Sequence, residues 1–118
     1  MSNVSTTGNY TFKGCENLTS VTFSEALISI ESGAFSGCKN LSEVVIPENT
    51  RFISSKAFEQ CVSLTNVTFN GTPTSIYADA FTGTLATLTI NAPWPEGAVS
   101  NAPWGATEAT INYDYTLE

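Results

Sequence analysis

The sequence predicts a solenoid of stacked 23-residue repeats, each adding one rung to the coil and one short strand to a parallel β-sheet. Three observations predict it. Phe12, Phe35, Phe58 and Phe81 recur every 23 residues. Cys15, Cys38 and Cys61 travel with them, as do Leu18, Leu41 and Leu64, and Ile30, Ile53 and Ile76 keep the same step. Finally, Leu18-x-x-Val21-x-Phe23 reappears as Leu41-x-x-Val44-x-Ile46 and Leu64-x-x-Val67-x-Phe69, an L-x-x-L-x-L pattern whose last three residues alternate as a strand does. One such unit cannot bury its apolar residues alone, so neighbouring units must stack around a shared core.

Taken in order, residues 1–11 read as a partial N-terminal repeat, 12–90 as four repeats and 91–118 as a β-rich C-terminal cap, all within one solenoid domain. In the first unit Thr7 falls in the Ile30 column and Thr11 in the Ala34 column, so no dedicated N-terminal cap is visible. Each full unit carries a strand around its Val-x-Phe or Val-x-Ile run. A second short strand is expected near Ile28 to Ile30. Ser32-Gly33-Ala34-Phe35-Ser36-Gly37-Cys38 is expected to make one helical turn, where small Ala34 and Gly37 permit close stacking. The fourth unit departs from the pattern: Thr84 replaces the cysteine, and Leu85-x-x-Leu88-x-Ile90 arrives two residues early. The array closes there.

Ala34-Phe35-x-x-Cys38-x-x-Leu41-x-x-Val44-x-Ile46, at a 23-residue step, resembles the BspA-like class of leucine-rich repeat over residues 10 to 90. The resemblance implies a leucine-rich-repeat solenoid with a parallel β-sheet and short helical turns. It further implies a bacterial surface or secreted adhesin, a protist surface protein, or a prophage-encoded structural protein. The ending Ala102-Pro103-Trp104-Gly105-Ala106-Thr107, followed by Ala109-Thr110-Ile111-Asn112-Tyr113, is similar to endings of such repeats in prophage tail proteins.

Composition narrows the function classes. Four Lys and Arg against 11 Asp and Glu leave a net charge of −7, which repels nucleic acid and anionic membranes. No run approaches the ~20 apolar residues that span a bilayer, and Met1-Ser-Asn-Val-Ser lacks the basic-then-apolar order of a secretory signal. Thirteen Ser, 17 Thr and 10 Asn beside only 13% charged residues fit an extracellular, cell-surface or virion protein; either the export signal belongs to a longer parent, or the protein leaves the cell by lysis or stays inside.

Little in the chain suggests chemistry. There is no histidine, which removes the commonest nucleophile–base arrangements and leaves zinc without a ligand set. The cysteines share one repeat column, so their parallel Cβ vectors, a rung of ~4.8 Å apart, lie beyond the ~3.8 Å of a disulfide. They are expected to be buried structural thiols. Glu25 with Glu31, and Glu43 with Glu48, are the available carboxylate pairs for glycosidic chemistry, but isolated acids on a solenoid surface ordinarily serve solubility. Neither enzyme activity nor a cofactor or metal is expected. Six N-x-[ST] sequons start at Asn3, Asn9, Asn17, Asn40, Asn66 and Asn70; those at Asn17 and Asn40 belong to the repeat, where the amide is suited to capping turn backbone.

Function must then reside on the outside of the coil. If Val21 and Phe23 point inward, alternation turns Ser20 and Thr22 outward, with Glu43 and Val45, Asn66 and Thr68, and Thr87 and Thr89 in the later repeats. This face is the candidate contact surface for a protein or glycan. Trp94 and Trp104, in the duplicated Asn-Ala-Pro-Trp tetrapeptides, join Tyr113 and Tyr115 as a candidate aromatic cap or aromatic platform; covering the last rung is the simpler role. The expected function is a non-catalytic binding or assembly module, and the competing one a purely structural spacer or oligomerisation module. An uncapped first rung would also expose a strand edge, so either further repeats precede it or the end packs against another copy, and self-association through the N-terminal end is expected.

Overall fold

The computed structural model describes residues 3–4, 12–84, 88–106 and 109–116. Among them are nine strands: β1 (Asn3–Val4), β2 (Ser20–Phe23), β3 (Ser29–Ile30), β4 (Glu43–Ile46), β5 (Phe52–Ile53), β6 (Asn66–Phe69), β7 (Ser75–Ile76), β8 (Thr89–Asn91) and β9 (Thr110–Asn112). They form a six-stranded sheet in the order β1-β2-β4-β6-β8-β9 and a three-stranded sheet in the order β3-β5-β7. All pairings are parallel. From β2 to β8 each residue faces its equivalent 23 positions on, as in Val44↔Val67 and Val67↔Ile90. The repeat period is therefore the circumference of one rung.

The core lies between the two sheets and a stack of turns. Along β4 the pattern is strict: Val44 and Ile46 are buried, Glu43 and Val45 exposed. Phe35, Phe58 and Phe81 are fully buried, and with half-buried Phe12 their rings form a ladder at centroid spacings of 5.1, 5.4 and 5.3 Å, all within 8° of parallel. Ala34, Ala57 and Ala80, also fully buried, are the small side chains beside these rings.

The segment expected to form a helical turn does not form a helix. Ala34, Ser36 and Cys38 donate backbone N–H bonds three residues back, to Glu31, Gly33 and Phe35. Gly33, Phe35 and Gly37 instead donate to the carbonyls of Ser55, Ala57 and Glu59 in the next rung. Alternate donors thus leave the rung, and a helix would keep them all. The geometry requires left-handed residues: Gly14, Gly37 and Gly83 have φ of 72°, 75° and 81°, and Gln60 takes the same conformation at 60°.

Two further expectations are corrected. The fourth unit does not close early, because β8 keeps the 23-residue register, with Ile90 beside Val67 and Asn91 beside Thr68. The leucine spacing misled: Leu88 falls in the column of Thr19, Ser42 and Thr65, exposed in the earlier rungs, and is buried here. Leu85 lies outside the described residues. Second, the first strand is not an unpaired edge: Asn3 and Val4 pair with Thr22 and Phe23. Two alternating residues suffice for that ladder, and the columns of Thr7 and Thr11, outside the described residues, did not reveal it.

Candidate functional site

The outer face of the six-stranded sheet carries two columns of side chains. One runs Ser20, Glu43, Asn66, Thr89, Thr110, and the other continues from Val45 through Thr68 and Asn91 to Asn112. Ser20, Glu43 and Val45 are exposed, and Asn66, Thr68 and Thr89 half-buried. Thr22 is placed by its backbone in β2, while Thr87 lies outside the described residues. The second column is a polar ladder. Asn91 Nδ2 donates to Asn66 Oδ1 and Thr68 Oγ1, both at 3.1 Å, and Asn112 Nδ2 donates to Asn91 Oδ1 at 2.9 Å. Asn91 is buried by this network, the expected state of a polar group whose hydrogen bonds are met. Its role was missed in sequence, although the tripeptide Thr-Ile-Asn, repeated at 89–91 and 110–112, is a visible signal.

Toward the N-terminal end this face is interrupted. The β4–β6 ladder holds four register pairs, from Glu43↔Asn66 to Ile46↔Phe69, and beyond it Asn70 N–H donates to the Ile46 carbonyl at 2.9 Å. The β2–β4 ladder holds only Ser20↔Glu43 and Val21↔Val44. Its equivalent of Asn70 is Pro47, which has no N–H to give to the Phe23 carbonyl. Past Val21 the strands part, and a groove of about 220 Å³ opens between them, lined by Val21, Phe23, Glu25, Val45, Pro47 and Asn70. Val21 and Phe23 each keep 6% exposure, whereas Val44, Ile46, Val67 and Phe69 have at most 1%.

The two tryptophans of the cap face inward. Trp94 and Trp104 are 2% and 0% exposed. Trp94 packs edge-on to Phe69 at 5.1 Å and to Trp104 at 6.3 Å. The space it fills follows from Ala92, which stands in the Phe69 column where a large ring would otherwise lie. The Trp104 indole donates to the Ser100 carbonyl at 2.8 Å, and its own carbonyl accepts from Phe81 N–H, as the next rung would. The Trp94 indole nitrogen is buried without a hydrogen-bond partner among the described residues. Neither indole presents a ring face to solvent. Tyr113 and Tyr115 are half-buried; burial, with the Glu96 carboxylate, raises the Tyr113 phenol above its ordinary pKa.

Cys15, Cys38 and Cys61 are free thiols. The Cys38 thiol donates to the Phe12 carbonyl at 3.1 Å and the Cys61 thiol to the Phe35 carbonyl at 3.2 Å, so each tethers its rung to the preceding one. Burial pushes their pKa values up, to about 11 and about 12. Thr84, in the same column, turns its hydroxyl to Phe81 of its own rung at 2.8 Å. The cysteine column is thus a structural device that ends where the cap begins.

No curated protein and no solved structure matches the chain. The BspA type leucine rich repeat region matches in six copies over residues 1–95. The 23-residue register, the inward Phe and Cys columns and the parallel ladder described above are the physical content of that match, and the chain belongs to the BspA-type leucine-rich-repeat family.

Proposed function

We propose that the protein is a non-catalytic binding and assembly module that contacts protein or glycan at a cell or virion surface, through the outer face of its six-stranded sheet. The observation that carries this reading is the alignment of the outward columns. From Asn66 and Thr68 onward the face presents hydroxyl and amide groups in register, after Ser20, Glu43 and Val45 in the earlier rungs, while the exposed aromatic side chains Phe52 and Tyr77 stand at the three-stranded sheet and not on this face. Such a face has few of the exposed aromatic and arginine anchors that dominate tight interfaces. It suits weak contacts made many times over by linked or clustered copies. No catalytic or cofactor role enters this reading. The alternative, a spacer or oligomerisation module of a phage tail or surface protein, would use the ends of the coil, with self-association through the N-terminal end adding to β1.

The test is multivalent display on beads against a glycan array and immobilised extracellular-matrix proteins, comparing the wild type with Asn66→Arg/Thr89→Arg. Capture by the wild type that the double substitution abolishes, with Lys39→Glu on the turn side unaffected, supports the face. Capture indifferent to both substitutions overturns it.

A further inference from the structure

We propose that the split between β2 and β4 seats an arginine or lysine side chain of a protein partner; this deepens the reading of the sheet face as a binding surface and rests on it. The groove has the two-part chemistry such a side chain needs. Its walls are hydrocarbon: Val21, Phe23, Val45 and Pro47. They are matched to the methylene stem, which long cationic side chains bury while the charged head stays near water. Its polar lining residues, Glu25 and Asn70, carry acceptor oxygens, and the Phe23 carbonyl is left by Pro47 without its ladder donor. About 220 Å³ is room for one long side chain rather than for a folded element.

The charge distribution selects the sign. Glu43 stands on the same face, and Glu48 follows Pro47. The chain's four cations lie elsewhere: Lys13 and Lys56 in the turn stack, Lys39 in the turn after it, within 3.8 Å of Glu16, and Arg51 beside the three-stranded sheet. Among the charged side chains of the described residues on this face a cationic guest therefore meets carboxylates, which raises its encounter rate. An anionic or purely apolar guest gains nothing from the rim.

The probe is Nα-acetyl-arginine methylamide, titrated into the 15N-labelled protein at low salt, with the neutral citrulline counterpart as control. The expected result is amide shifts confined to Val21, Phe23, Glu25, Val45 and Asn70, with a dissociation constant on the order of millimolar. Glu25→Gln is expected to weaken binding about threefold, as for an exposed ion pair. Pro47→Ala restores the missing N–H, lets the strands close and removes the shifts. Equal shifts with citrulline, or unchanged binding by both variants with their spectra still dispersed, overturn the proposal. If arginine produces no shift while Asn66→Arg/Thr89→Arg still abolishes capture of a macromolecule, the seat is wrong and the binding face stands.

Discussion

The Phe35 and Phe58 rings lie 5.4 Å apart and 5° from parallel, related by one turn of the coil. Each belongs to a different repeat and covers one face of the other. Phe58 has a stacked ring on both sides, the second being Phe81 at 5.3 Å. Phe58→Ala is therefore expected to destabilise the fold by about 3–5 kcal/mol, since a cavity between two rungs held by backbone hydrogen bonds cannot collapse. A urea titration measures this. Phe12→Ala, at the half-buried end of the ladder, is expected to cost less.

The thiols should separate by position. Cys15 is half-buried, Cys38 and Cys61 fully so. Native-state labelling with a thiol reagent is expected to modify Cys15 first and Cys61 last, with all three reacting rapidly in denaturant. Cys15 thus falls short of the burial expected for the whole cysteine column.

The same thiols set an alkaline limit. With folded-state values raised from 9.0 to about 11 and about 12, the unfolded chain releases these protons at lower pH than the folded one. The stability they contribute is full below pH 9 and declines as pH rises through about 11 to 12. Cys38→Ala/Cys61→Ala, followed by urea midpoints between pH 8 and 11, should flatten that part of the decline.

Gln60 holds a position that glycine fills in the three equivalent turns, at φ 60°. Left-handed backbone costs an ordinary residue about 1–2 kcal/mol, and glycine returns roughly half of that through the entropy of its unfolded chain. Gln60→Gly is expected to stabilise the protein by about 0.5–1 kcal/mol, read as a rise in melting temperature. Gly37→Gln should have the opposite sign.

Gly105 seats the cap on the fourth turn. A Cβ there would lie 3.0 Å from the Ala78 carbonyl oxygen and 3.1 Å from Asp79 Cα, and the residue has φ 87°. Gly105→Ala should lift Trp104 from Phe81, red-shift the tryptophan emission and lower stability by about 2 kcal/mol or more, combining strain with overpacking.

Much of the fold was legible because a repeat reports the same physical requirement several times. Phe35, Cys38, Leu41 and Val44 each recur in step, and their alternation turns Ser20, Glu43 and Val45 outward as expected; in the fourth unit the expected columns are displaced by two, since Thr89 stands beside Asn66 and not beside Thr68. What escaped notice depended on groups without side-chain signatures. The turn stack sends alternate N–H groups to the next rung, which sequence periodicity does not encode. Leu88 imitated the repeat two positions out of register. Pro47 carries no side-chain signature of its role, which emerges only when its missing N–H is set against the N–H that Asn70 gives to Ile46. The cap was legible as bulk, from Trp94 and Trp104, but not as the backbone mimic that Trp104 proves to be.

The hydrogen bonds that leave each turn for its successor also have a mechanical consequence. At the C-terminal end they terminate on the Trp104 carbonyl under a buried cap, whereas at the N-terminal end Phe12, Cys15 and Leu18 are only half-buried. A pull along the coil would peel it from the first turn toward the last, paying out one 23-residue loop at a time, roughly 80 Å of extended chain per step. In a chain tethered at both ends, the coil would act as a shock absorber whose last turn holds longest.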